Sequence, residues 1–302
     1  MIKLPFGVDI NNLIDDLRIF SWEAADILLF YSKIIKNPEK KREIIQTKKS
    51  SDPVTIADLK VNQLIISRIQ EKYEKTNWQI LSEENVKIKP HNCNIKADWC
   101  WVLDPLDGTK DFIQGTGNYA MHLALNYKQK PILGIVLIPE RDELWISKGN
   151  QISCENRQGI RREIKISRSK PITDMTVVTS KNHINETLEK IINKVNFKKV
   201  ITMGSIGCKV ASIIRGDSDI YISLSLPGQS SPKDWDFAAP EAILRAAGGA
   251  ITNLDNQSLT YNSKTLEHPG IIIATNNLQT HAKICSQVKE IIIKFEIFPD
   301  LF

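Results

Sequence analysis

The sequence predicts a layered α+β fold, on three observations. Helical and strand-like periods mix in both halves of the chain, so any sheet has helices available to cover it. The 302 residues are 42% hydrophobic, enough to bury a sizeable core in one large domain or two closely packed ones. No repeat, heptad array or low-complexity tract breaks the pattern.

The elements can be justified in order. Leu13, Leu17, Phe20, Ala24, Ile27, Leu28 and Tyr31 recur at spacings of three and four, which places one apolar stripe on a first helix. Charged sequence over 38–51 reads as a loop. A second helix is expected from Thr55 to about Tyr73, because Thr55 and Asp58 form a capping-box pattern and Leu59, Leu64, Ile65 and Ile69 are apolar. Strands follow at 78–81, 99–103, 119–126, 132–138 and 144–146. Alternation at Met121, Leu123 and Leu125, and the pair Ile135-Val136, imply a sheet covered on one or both faces. Residues 149–170 turn polar and basic, so the boundary between an N-terminal subdomain (1–150) and a C-terminal one (171–302) is expected there. The second half reads as strand 175–179, helix 186–195, strand 200–203, helix 208–214 and strand 220–224. A Pro/Gly/Ser-rich loop at 226–232 precedes helix 236–247, which Gly248-Gly249 ends by allowing a left-handed cap. Strand 270–275 and helix 278–292 complete the chain.

Composition narrows the function. The net charge of +5 comes from scattered lysines such as Lys40, Lys41, Lys48 and Lys49, which suits an anionic small molecule better than a nucleic acid. Trp78 and Trp99 fall in strands and read as core residues, leaving no aromatic and basic module for nucleic acid. Cys93, Cys100, Cys154, Cys208 and Cys285 are odd in number and widely spaced, which argues against a disulfide framework or thiolate zinc site and for a reducing, cytoplasmic compartment. Asp9, Asp15 and Asp16 precede any sustained apolar run, so no secretory leader is expected, and no stretch has the length of a membrane span.

Short acidic elements carry the chemistry: Asp52-Pro-Val-Thr-Ile-Ala-Asp58, Leu81-Ser-Glu83-Glu84, Asp104-Pro-Leu-Asp107-Gly-Thr and Lys233-Asp-Trp-Asp236. Taken singly, each has an ordinary reading. Asp58 can cap a helix, Glu83-Glu84 can be a solvated turn, and Asp236 can favour a helix N-terminus by its charge. Brought together, these carboxylates would repel one another unless a cation offset them. The stretch from Trp101 to Phe112 is the sharpest signal. Pro105 fixes its own φ, Gly108 permits close backbone approach, and Asp104 and Asp107 can aim at one hard cation of the kind magnesium is.

This set resembles the signature of the lithium-sensitive, magnesium-dependent phosphomonoesterase superfamily that includes inositol monophosphatase and fructose-1,6-bisphosphatase. The family pattern W-x-x-D-P-[LI]-D-G-T-x-x-F is met by Trp101 to Phe112, and its later element by Trp235-Asp236-Phe-Ala-Ala-Pro240. The likeness covers essentially the whole chain in order and spacing. Thr179-Ser-Lys-Asn-His183, Gly204-Ser-Ile-Gly-Cys-Lys209 and Lys233-Asp-Trp-Asp236 look most like the CysQ branch of 3'(2'),5'-bisphosphate nucleotidases. Ser82 departs from the pattern, since many relatives have glycine there.

The resemblance implies a layered αβαβα sandwich, a homodimer and magnesium as cofactor. It implies Glu83, Asp104 and the Leu106 carbonyl as ligands of one ion and Asp104, Asp107 and Asp236 as ligands of a second, with Glu83 helping to place a third. Asp58 would orient a water near the leaving group and Thr109 the attacking water, while Gly108, Thr109 and Asp236 would meet the substrate. Ser205, Lys209 and His183 are the candidates for a second phosphate or the ribose; Lys209 as an exposed helical lysine and His183 as a turn residue are the alternatives. The expected activity is removal of the 3'-phosphate from adenosine 3',5'-bisphosphate, giving AMP in a setting of sulfur assimilation. An inositol monophosphatase or broad-specificity sugar phosphatase is the alternative enzyme, and a catalytically silent metal-binding protein the alternative class.

Overall fold

The computed structural model describes residues 4–5, 7–37, 39, 43–47, 53–88, 97–164, 170–182 and 185–297. Helix α1 (Ile10–Ile35) starts where the Asp9 side chain accepts the amides of Asn11 and Asn12, and buries Leu13, Leu17, Phe20, Ala24 and Leu28. A short ribbon of β1 (Ile45–Thr47) and β2 (Pro53–Thr55) follows, partly within the stretch whose charge density suggests a loop. Helix α2 (Ile56–Lys72) opens on the expected capping box, with the Thr55 hydroxyl accepting from Ala57 N and Asp58 Oδ2 accepting from Thr55 N at 2.8 Å. Its buried line is Ala57, Val61, Ile65 and Ile69; Leu59 and Leu64, expected in that line, are only half-buried because the stripe advances by fours.

Six strands form the first sheet, in the order β3-β4-β5-β6-β7-β8: β3 (Gln79–Ser82), β4 (Trp99–Asp107), β5 (Ala120–Tyr127), β6 (Lys130–Ile138), β7 (Glu143–Lys148) and β8 (Gln151–Glu155). Only β3 and β4 pair in parallel; the other neighbours are antiparallel. Strand β8 lies inside the polar stretch 149–170, where an edge position leaves little apolar alternation to read.

The second sheet has the order β10-β9-β11-β13-β12. Its strands are β9 (Thr176–Ser180), β10 (Lys199–Met203), β11 (Ile220–Ser225), β12 (Ala250–Asn253) and β13 (Gly270–Thr275). Helices α3 (Glu83–Ile88), α4 (Thr109–Gln114), α5 (Glu186–Val195), α6 (Ile206–Arg215), α7 (Asp234–Ala246) and α8 (Leu278–Lys294) complete the chain.

Side-chain alternation explains the layering. Trp101, Leu103, Leu123, Leu125, Ile135 and Leu137 point from the first sheet to α1 and α2. Their neighbours Val102, Ala124, Val136 and Trp145 point the other way, onto α6 and α7, whose far side meets Tyr221, Ile272 and Ala274 of the second sheet. Ile220, Ile222, Ile271 and Ile273 then cover themselves with α5 and α8. The result is helix, sheet, helix, sheet, helix, the αβαβα sandwich.

Glycine sets the central spacing. A Cβ on Gly134 of β6 would lie 2.6 Å from Ala242 Cβ and 2.8 Å from Ala239 O of α7, closer than side-chain atoms approach. Gly134→Ala is therefore expected to push α7 off the sheet and lower stability by roughly 1–3 kcal/mol, read as a fall of several degrees in the melting temperature. An unchanged midpoint would show that the helix yields freely.

Candidate active site

Parallel pairing of β3 and β4 ends at Ser82 and Leu103, so Glu83, which starts α3, and Asp104, which β5 alone still pairs, stand at the same end of the sheet. Strand β4 runs on to Asp107 against β5, with a register irregularity between Asp104 and Asp107. Pro105 is tolerated because β3 no longer asks it for a donor. Leu106 N returns to Asp104 Oδ1 at 3.0 Å and closes the turn. Gly108 then takes φ +85°, and a Cβ there would lie 2.9 Å from both Asn118 O and Ser205 N. Only glycine fits that crossing.

Two helices from the middle layer complete the cluster. Asp107 Oδ2 accepts the Ser205 hydroxyl at 2.7 Å, Ile206 N at 2.5 Å and Gly207 N at 3.4 Å, so it sits at the N-terminus of α6. Asp236, in the first turn of α7, accepts Lys233 N at 2.6 Å. Asp104, Asp107 and Asp236 each place a carboxylate oxygen within 4.8 Å of the others.

Burial pushes Asp104 well above the usual carboxylate range, and Glu83, Asp107 and Asp236 push it further. Asp236 is raised in the same way, by burial and then by Asp107 and Glu83. Asp58 is driven up to about 7, chiefly by burial and against the bond it receives from Thr55. Three crowded oxygen donors whose charges oppose one another fit a hard divalent cation, which would remove the repulsion.

The other expected residues are placed as follows. Thr109 Oγ1 lies 3.0 Å from the Leu106 carbonyl oxygen and 3.4 Å from Asp58 Oδ1, which joins the start of α4 to α2. Glu83 lies beside Asp104 but outside the 4.8 Å group, and its carboxylate is 2.7 Å from Lys87 Nζ. The Ser205 hydroxyl is engaged by Asp107 and by Cys208 N. Lys209 is buried at 3% exposure, its ammonium 5.4 Å above the Tyr221 ring, with no carboxylate within ion-pair distance among the described residues. The reading of Lys209 as an exposed surface lysine is thereby corrected; burial lowers its pKa, and Asp107 opposes that. His183 lies outside the described residues.

Two neighbours carry weaker sequence signals. His122 of β5 is fully buried, with Nε2 3.3 Å from Asp107 Oδ2 and Nδ1 3.3 Å from the Trp235 carbonyl. It interrupts the apolar alternation of its strand. Gly207 packs on that ring, where a Cβ would approach Nε2 to 2.2 Å. Lys87, four residues after Glu83, was legible as an i,i+4 pair.

Residues 20–292 match the model of the inositol monophosphatase family. The chain belongs to the inositol monophosphatase family. With membership goes the hydrolase class, a divalent-cation-dependent phosphomonoesterase. A CysQ 3'(2'),5'-bisphosphate nucleotidase of Buchnera aphidicola is 30% identical, over 72% of this chain and 77% of its own. One from Aggregatibacter actinomycetemcomitans is 28% identical, over 84% and 89%. In fold, the chain is similar to an IMPase of Thermotoga maritima, with a TM-score of 0.73, 20% identity, and coverage of 95% of this chain and 100% of that one. Among the described residues no helix is long and apolar enough to cross a membrane.

Proposed function

We propose that the chain is a magnesium-dependent phosphomonoesterase acting on small phosphorylated alcohols, with inositol or sugar phosphates as the substrate class. The observation that carries this reading is the triad of buried Asp104 with partly buried Asp107 and Asp236, with Asp58 and Thr109 beside it. Asp104, Asp107 and Asp236 would hold the cation, with the Leu106 carbonyl and Glu83 adjacent. A magnesium ion held by these residues would supply positive charge against the phosphate dianion and lower the pKa of the attacking water. Thr109 positions that water with its hydroxyl. Asp58, with its pKa near 7, receives a proton relayed through Thr109 as the water oxygen bonds to phosphorus. The ester P–O bond breaks, and the departing alkoxide is protonated from solvent, to which Asp58 returns the proton it received, so that the products are the alcohol and phosphate.

The nucleotide reading needs partners for a second phosphate. Ser205 spends its hydroxyl on Asp107 and Lys209 is enclosed, so neither argues for an added anion. The names of the curated relatives favour the bisphosphate nucleotide as the second reading. A phosphate-release panel with magnesium, comparing inositol 1-phosphate, fructose 1,6-bisphosphate and adenosine 3',5'-bisphosphate, separates the two. The proposed reading expects turnover of the first two at least comparable to the third. Lys209→Met is expected to change KM for inositol 1-phosphate and for the bisphosphate alike. A KM increase of about tenfold or more confined to the bisphosphate would establish the nucleotidase instead.

A further inference from the structure

We infer that Lys87 acts as a built-in competitor for the cation at Glu83 and so sets how tightly the site binds divalent metal. The inference rests on the metal-dependent reading above. Lys87 Nζ lies 2.7 Å from Glu83 and 3.2 Å from Glu84, carboxylates four and three residues before it on the one-and-a-half turns of α3. The lysine is held there by its backbone. Ser82 donates its hydroxyl to Asn62 Oδ1, and Asn62 Nδ2 donates to Asn85 Oδ1 at 3.2 Å, which fastens both the entry to α3 and its first turn to α2. Both carboxylates are thus within ion-pair distance of the one ammonium. The Glu83 side chain is largely enclosed, at 19% exposure, and Glu84 behind it is fully buried.

Lys87 Nζ holds the Glu83 oxygen Oε1, so a cation taking that oxygen displaces the ammonium, and one taking Oε2 meets its charge across the same carboxylate. Either way the ammonium lowers the cation's apparent affinity, by holding an oxygen or by like-charge repulsion. Magnesium demands near-octahedral oxygen donors and does not accept a misplaced one. Removing the lysine also leaves the site more negative. Both effects act in the same direction.

The test is calorimetric titration of the full-length, cation-free protein with magnesium chloride, without substrate. Lys87→Met, which keeps the length and drops the charge, is expected to bind magnesium about tenfold more tightly than the parent chain. Lys87→Arg should restore parental affinity. In a Glu83→Gln background the gain from Lys87→Met should be clearly smaller, because only the change in charge remains and no Glu83 carboxylate is contested. Unchanged or weaker binding in Lys87→Met, with the parent chain binding normally, overturns the inference; should Lys87→Met fail to fold, Lys87→Gln takes its place under the same criteria. A parent chain that binds no divalent cation would instead sink the functional reading itself, and this inference with it.

Discussion

Asp104→Asn is expected to abolish most phosphate release, by roughly 100-fold or more, while making the cation-free protein more stable. The two effects have opposite signs for one reason. Asp104 is buried and surrounded by Glu83, Asp107 and Asp236, so its negative charge is costly until a cation offsets it. Asparagine keeps an oxygen for Leu106 N, now received at 3.0 Å, and the shape of the turn, but offers the cation no charge. Phosphate release with magnesium and the melting temperature without it are the two measurements. Retained activity, or a cation-free midpoint several degrees below the parent's, would contradict the account.

Acidity should act on the same cluster. Asp58 has an ordinary pKa of 3.8 and is driven by burial to about 7 in the fold. The folded state thus holds its proton more strongly than the unfolded chain does. The resulting stability is fully present below about pH 4 and is lost as pH rises through 7, a contribution on the order of 4 kcal/mol for this one fully buried group. Asp104 and Asp236 shift in the same direction. Cation-free protein is therefore expected to melt at a lower temperature at pH 7.5 than at pH 5.5, a window kept above the general acid unfolding of exposed carboxylates. Magnesium should raise the midpoint far more at pH 7.5, where it meets carboxylates already ionised. Melting curves at the two pH values, with and without magnesium, check this. A magnesium increment equal at both would show that the cluster is not what the cation binds.

Most of the helices and the central strands were legible because their periods were clean. The expected helix 186–195 coincides with Glu186–Val195 and the expected strand 270–275 with Gly270–Thr275, one amphipathic and the other apolar throughout. Strand β4 was read as ending at Leu103, yet it continues to Asp107, because pairing with β5 persists across an irregularity that Pro105 and Gly108 disguise. Strands β8 and β12 lacked the signal, being short edge strands with polar residues. Helix α3 was hidden behind the reading of Glu83-Glu84 as a turn.

By itself the sequence determined which residue types could meet: carboxylates at the ends of strands and helices, with a proline and a glycine to turn the chain between them. Local spacing carries that information, since φ limits and periodicity act over a few residues. Whether Asp236, more than a hundred positions away from Asp104, shares its oxygens' neighbourhood was decided only by the tertiary structure. There α7 packs between two sheets against Gly134 and brings its first turn to the end of β4. The same packing buried Lys209 and engaged Ser205 with Asp107. Those contacts depend on which layers stack and how closely, a long-range property that no local period encodes.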